Sequence, residues 1–200
     1  MIKNVIFDVA NVIVDWNPRF ALPGISEADV ERFLTSKAFA KLNHETDAGL
    51  SLAQAQARFD ADAPDLAEIY RTYLTNFADT VPGPMPGTSG VIKELLASGV
   101  PTYGLSNWAS ENFHVARAAA PVLGELTGLV VSGDVGLAKP DPAIFELVIQ
   151  RFGLVAGQTV MIDDRVENLR AARSVGLATI HFTDADVLRA DLERIHLLPS

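Results

Sequence analysis

The chain contains no cysteine in its 200 residues. Disulfides, thiolate metal sites and a cysteine nucleophile are therefore excluded, and the absence fits a reducing compartment. Basic residues are also scarce: 16 Lys and Arg face 25 Asp and Glu, for a net charge of −9. Nucleic acids and anionic membranes both select basic surfaces, so neither is expected as a partner. No apolar run is long enough to span a bilayer, and there is no internal repeat or low-complexity tract. The apolar N-terminus is broken by Asp8, Asn11 and Asp15, and reads as strand and loop rather than a signal peptide. These absences predict a soluble, cytoplasmic protein; oligomeric state is not legible. What the chain does have is apolar mass. Hydrophobic residues make up 48% of it, enough for a sizeable core in one domain, or in one domain carrying an insertion.

Five stretches read as buried strands, at 4–7, 102–105, 129–132, 159–162 and 178–182. Each is short, mostly apolar and rich in Val or Ile, as expected where both faces are covered. Helical patterns separate them. Thr88 or Ser89 is placed to cap a helix carrying Val91, Ile92, Leu95 and Leu96 that stops at Gly99. Pro142 suits the first turn of a helix carrying Ile144, Phe145, Val148 and Ile149 that stops at Gly153. A third helical segment, 167–175, stops at Gly176. Strand–helix alternation predicts a parallel α/β sheet of Rossmann-like type, which binds ligands beyond the carboxyl ends of its strands. Residues 15–80 break the alternation. Ser26 and Ser51 each open a capping-box pattern, followed by apolar residues at helical spacing, and Leu66, Ile69, Tyr70 and Tyr73 continue such a stripe. The run from Val81 to Gly87 holds three prolines and two glycines and reads as a hinge or linker. The predicted organisation is an α/β core of residues 1–14 and 83–200 with a helical cap inserted over 15–82.

Chemistry-bearing residues gather in a few short segments at or just beyond strand ends. Asp8 follows Val5-Ile6-Phe7, Ser106 and Asn107 follow Leu105, Lys139 lies in Gly136-Leu137-Ala138-Lys139-Pro140-Asp141-Pro142, and Asp163-Asp164 follow Ile162. Taken singly each is bland: a turn cap, a helix N-cap, a solvated lysine, a cap plus a solvated acid. Together they form a kit for chemistry on phosphate. Asp8 supplies a nucleophile, Ser106 a hydroxyl donor for a phosphoryl oxygen, and Lys139 a cation to neutralise Asp8 and the phosphoryl group. Adjacent acids repel unless a cation sits between them, and Mg²⁺ takes one or two carboxylates plus water and phosphate. Asn168, one helical turn on, is placed to brace that pair. The turn Val9-Ala10-Asn11 offers backbone N–H groups to an anion.

The order of these segments, with the fuller stretches Lys139-Pro140-Asp141-Pro142-Ala143-Ile144-Phe145 and Met161-Ile162-Asp163-Asp164-Arg165-Val166-Glu167-Asn168, resembles the haloacid dehalogenase-like (HAD) hydrolases of the helical-cap subgroup. The resemblance covers nearly the whole chain. It implies that Asp8 is the nucleophile, Ser106 and Asn107 bind phosphate beside the Val9–Asn11 turn, Lys139 positions the charge, and Asp8, Asp163, Asp164 and the Ala10 carbonyl hold Mg²⁺. One departure stands out. Most phosphatases of this family carry an acid where this chain has Ala10, and a missing general acid–base commonly costs about 10²–10⁴-fold in rate. Members with a small residue there resemble sugar-phosphate phosphatases, and His44 or Glu45 of the cap are candidate replacements. The expected activity is a Mg²⁺-dependent phosphatase for a small phosphorylated metabolite. Trp16, Asn17, His44 and Trp108 are candidate contacts to the leaving group. The alternatives are a 2-haloacid dehalogenase, with Arg19 on the substrate carboxylate, and a catalytically weak phosphate-binding relative. Receiver domains of signalling proteins use similar groups in the opposite order.

Overall fold

A computed structural model describes residues 1–199. In chain order the elements are β1 (Asn4–Phe7), β2 (Val14–Asp15), α1 (Glu27–Leu34), α2 (Lys37–Asp47), α3 (Leu52–Asp62), α4 (Ala67–Thr75), β3 (Gly83–Pro84), α5 (Thr88–Ala97) and β4 (Thr102–Ser106). They continue with α6 (Phe113–Ala119), β5 (Gly128–Val131), α7 (Ser132–Val135), α8 (Pro142–Phe152), β6 (Thr159–Asp163), α9 (Val166–Ser174), β7 (Ala178–His181) and α10 (Ala185–Arg194). The main sheet has five parallel strands in the order β5-β4-β1-β6-β7.

Alternation along the strands builds two apolar layers. Val5 and Phe7 of β1 pack on one face with Val91, Ile92 and Leu95 of α5 and Leu188 and Leu192 of α10. Ile6 packs on the other with Ile144, Phe145 and Val148 of α8 and Leu169 of α9. Burial on both sides explains why these strands read as unbroken apolar runs. After β1 the chain builds outward to β4 and β5, then crosses back to lay β6 on β1's other side. The reversal opens a crevice at the carboxyl end of β1, where open α/β sheets bind ligands.

Between β2 and β3 the helices α1–α4 enclose a separate cluster in which Phe33, Phe39, Phe59, Tyr70 and Tyr73 pack ring against ring. Ser51 and Gln54 form the reciprocal capping box at α3. Ser26 makes half of one: its hydroxyl accepts from the Asp29 N–H but turns its own proton onto the Asp29 carboxylate (2.8 Å). Two expectations are corrected here. Thr88 is the first residue of α5 rather than its cap; Gly87 takes the N-cap position at φ 79°, a left-handed conformation suited to glycine. The stretch read as a hinge is an ordered return: Gly83–Pro84 pairs antiparallel with Val14–Asp15, and the Met85 N–H donates to the Ile13 carbonyl at 2.9 Å. Proline is tolerated there because β3 is the outer strand of a two-stranded ribbon and has an open edge.

Candidate active site

The central position of β1 brings the ends of three strands together. The Asp8 N–H donates to the Ile162 carbonyl of β6 at 2.8 Å, Asp163 closes β6, and Ser106 closes β4. Lys139 reaches them from the loop between α7 and α8. Its ammonium lies 2.7 Å from Asp8 Oδ1 and 2.8 Å from Asp163 Oδ2, and donates to the Leu105 carbonyl at 3.2 Å. An ammonium has three N–H donors, so all are committed within the protein. No donor of the ammonium is left for a further partner. Asn107 fixes the lysine's backbone: its Nδ2 donates to the Lys139 carbonyl and its Oδ1 accepts from the Lys139 N–H, both at 2.8 Å. These two bonds give Asn107 a positioning role, and it also lines the cavity described below.

The two acids of the pair have different surroundings. Asp163 is fully buried. Its Oδ1 accepts from the Arg165 N–H and from Asn168 Nδ2, both at 2.9 Å, and its Oδ2 accepts from Asn168 Nδ2 (3.0 Å) and Lys139. Asp164 is partly exposed and lines the cavity described below. Asp8, Asp163 and Asp164 each offer an oxygen within 4.8 Å of the others, a group able to hold a metal ion. In the turn after Asp8, the Val9 N–H donates to Asp8 Oδ1 at 2.6 Å. The Asn11 N–H is taken by the Val14 carbonyl, and the Asn11 side chain accepts from the Trp16 N–H. Of the amides expected to face an anion, only that of Ala10 is uncommitted. Ser106 Oγ is buried without a hydrogen-bond partner.

Burial pushes the Asp8 carboxyl well above its usual range. Lys139 pulls it down, and Asp163 and Asp164 push it up again. Burial by itself lowers the Lys139 ammonium, but Asp8 and Asp163 outweigh it and the net shift is upward. Asp164 is raised by burial and by Asp163. One ammonium thus faces three carboxylates. With all three ionised, two negative charges are left over, the deficit that a divalent cation fills.

Above this cluster a cavity of about 850 Å³, its open mouth included, runs between the sheet and the inserted helices. Trp16 and Trp108 line it as expected; Asn17 and His44 do not. Glu45 pairs with Arg58, and Arg19 is held by Glu27 and Glu31 of α1, away from the cavity. Sequence reasoning missed Asn43, Thr46 and Asp47 of α2, which line the cavity together. Asn43 and Thr46 continue the stripe of Phe39 and Leu42 at i, i+3, i+4 and i+7, with Asp47 beside it, and polar residues on an otherwise buried helix face are the signal that was available. It also missed Tyr73 and Asn112, whose polar atoms, like Trp108 Nε1, are buried without partners beside the cavity.

Comparison with known proteins agrees with this geometry. Residues 2–176 match the family model of haloacid dehalogenase-like hydrolases. A sesquiterpene phosphatase (astK) from Aspergillus oryzae is 24% identical over 92% of this chain and 91% of its own. A HAD-like family hydrolase from Porphyromonas gingivalis superposes with a TM-score of 0.74 at 20% identity, covering 98% of both chains. A HAD family enzyme from Bacteroides thetaiotaomicron, in complex with magnesium and inorganic phosphate, superposes with a TM-score of 0.69 at 18% identity, covering 92% of this chain and 96% of that one. The match over residues 2–176, with which the parallel sheet, the inserted helices and the acid–lysine cluster agree, makes this chain a member of the haloacid dehalogenase-like hydrolases.

Proposed function

We propose that the protein is a Mg²⁺-dependent phosphatase that turns over a small phosphomonoester through a phosphoaspartate at Asp8. The observation that carries this reading is the uncompensated charge: three buried or half-buried carboxylates converge on one lysine whose donors are all used. A hard divalent cation with few carboxylate ligands suits that donor set. Asp8, Asp164 and the carbonyl of Ala10 are the open donors. Asp163, its oxygens already committed, contributes charge from behind rather than a ligand bond. When bound, the cation keeps Asp8 ionised and offsets the charge of the phosphoryl group.

The residues of the chain supply the rest. Asp8 attacks phosphorus in line while Lys139 and the Val9 N–H hold its Oδ1. The unpartnered Ser106 hydroxyl and the Ala10 N–H are the protein donors left for phosphoryl oxygens. Water then hydrolyses the phosphoaspartate. The helical unit 15–82 serves as a cap that excludes bulk water and holds the leaving group. The leaving alcohol has an apolar body, because Trp16, Leu52, Leu74, Phe77 and Trp108 wall the cavity. The partnerless Tyr73, Trp108 and Asn112 atoms are available to a polar substituent on it. This favours the phosphate of a prenyl or aryl-alkyl alcohol over the sugar phosphate expected from the sequence, and the sesquiterpene phosphatase relative points the same way.

The test is a panel of prenyl, aryl and sugar phosphates and 2-haloacids, each with Mg²⁺ or EDTA, on wild type and Asp8→Asn. Phosphate release should require Mg²⁺ and Asp8, with prenyl or aryl esters preferred. Halide release that persists in EDTA would overturn the reading.

A further inference from the structure

We propose that Asp47, on the cap, is the acid–base group that Ala10 leaves out: it protonates the departing alcohol and then activates the hydrolytic water. This rests on the phosphatase reading above. Among the described residues lining the cavity, the carboxyls are Asp8, Asp164 and Asp47. The first two belong to the cation cluster, Lys139 has no free donor, and Arg165 stays protonated. Burial holds the Tyr70 and Tyr73 hydroxyls well above their usual range, so Asp47 remains as the lining group able to exchange a proton near neutral pH.

Its position is fixed by the way the cap meets the core. Asp47 is the last residue of α2. The turn that follows packs on the turn around α7: a Cβ built at Gly49 would sit 3.3 Å from the Gly133 carbonyl, and one at Gly136 3.9 Å from the Ala48 carbonyl. The Leu52 N–H, at the start of α3, donates to Glu111 of the core at 2.8 Å. These contacts hold the carboxyl end of α2 over the loop that carries Lys139. A second contact, from Asn43 Nδ2 to Asp47 Oδ2 at 3.4 Å, orients the carboxyl.

The surroundings favour a proton on Asp47 near neutral pH. Burial pushes it up to about 7 against the pull of Lys139 and Arg165. The carboxyl end of a helix acts in the same direction, because its partial negative charge disfavours a second one. The other ionisable groups around it are Tyr73, which burial and Asp47 keep neutral, and Asp8 and Asp164 across the cavity. His44, on the same helix, is exposed, and Glu45 is paired with Arg58.

The cycle balances. As the bond from Asp8 to phosphorus forms and the ester P–O bond breaks, the Asp47 proton passes to the alcohol oxygen. The resulting carboxylate then takes a proton from water as that water's oxygen bonds to phosphorus and the Asp8–phosphorus bond breaks. Inorganic phosphate leaves and Asp47 is protonated again.

The experiment compares wild type, Asp47→Asn and the double variant Asp47→Asn/Ala10→Asp on an alkyl phosphate and on p-nitrophenyl phosphate. The nitrophenolate of the second leaves without a proton. Asp47→Asn should slow alkyl phosphate turnover by about 10²–10⁴-fold. On p-nitrophenyl phosphate it should give a burst of product equal to the enzyme, with phosphate retained on Asp8 after an acid quench. Its unfolding midpoint should not fall, since the exchange removes a buried acid and keeps the shape. The double variant should recover at least about tenfold of the lost rate, because it restores an acid at the position where typical relatives carry one. The inference is overturned if Asp47→Asn stays within about threefold of wild type on both substrates. It is equally overturned by equal losses on both substrates with no burst and no recovery in the double variant. A wild type inert on both would instead sink the phosphatase reading.

Discussion

Lys139 is nearly inaccessible to solvent and touches two carboxylates at once. Replacing it with methionine keeps the stem but leaves Asp8 and Asp163 buried without a cation. Breaking a buried pair from one side costs about 3–5 kcal/mol, so Lys139→Met should unfold at markedly lower urea, with part of the loss restored by Mg²⁺. The acid pair should separate by the same logic. Asp164→Asn should raise the Mg²⁺ concentration needed for half-maximal activity with little change in unfolding, whereas Asp163→Asn should lower stability as well, through its contacts to Lys139, Asn168 and the Arg165 N–H. Equal behaviour of the two variants in a metal titration and a urea melt would contradict that division. Asp8, Ser106 and the pair were legible in the sequence because each ends or follows a strand, and strand ends share one rim; Lys139, in the loop between α7 and α8, was legible only from the stretch around it. The division of labour inside the pair was not, since two neighbouring Asp letters carry no information on which side chain turns inward. Asp47 was hidden for a different reason. Its relevance depends on the docking of a helix onto the sheet, which no local pattern in the sequence encodes.

At the scale of elements, the main strands and most of the helices followed from apolar runs punctuated by Gly and Pro. Thr159–Asp163 and Thr102–Ser106 each extend one residue further than apolar content alone indicated. In both, the extra residue is polar and still pairs in the sheet: Asp163 with His181, Ser106 with Val131. The ladder rather than the side chain decided the boundary. The two-residue strands β2 and β3 were illegible because a pair so short has no periodicity. The helix–loop junction at α7 is more tightly specified than its length implies. A Cβ at Gly133 would come within 2.6 Å of the Ser110 N atom and 2.8 Å of the Trp108 carbonyl, both backbone contacts that cannot move aside cheaply. Gly133→Ala should therefore destabilise the fold by about 1–3 kcal/mol through forced backbone shifts. It should also displace Trp108 from the cavity wall, raising KM for apolar phosphates more than for p-nitrophenyl phosphate. Denaturant melts and paired kinetics would check both.

Across the whole molecule, the cavity carboxyls make folding sensitive to pH. Asp8 and Asp47 rise from 3.8 to about 8 and about 7, and Asp164 also rises. Each binds its proton more tightly folded than unfolded. The stability this confers is complete below about pH 4 and is lost as pH climbs through 7 to 8. Asp29, Asp60 and Glu167 shift the other way through exposed partners, but solvent and salt screen those contacts. In EDTA the unfolding midpoint should fall from about pH 5 to about pH 8, and saturating Mg²⁺ should flatten that decline, because ligation replaces the lost protons. A midpoint in EDTA that rises over this interval would contradict the charge reading. The route of the chain between core and helices has a consequence of its own. It leaves through β2 and comes back through β3, side by side, with Ile13 and Met85 one hydrogen bond apart. The helical insert is thus joined covalently to the core through a single neck no wider than a hairpin, and docks on it through the turn after α2 and the start of α3. A tight turn joining the two neck strands would close the sheet without stretching it. An insert of different sequence grafted at the same neck would leave the acid–lysine cluster intact but would have to bring its own counterpart of Asp47, so the groups that face the leaving alcohol are exchangeable only as a set.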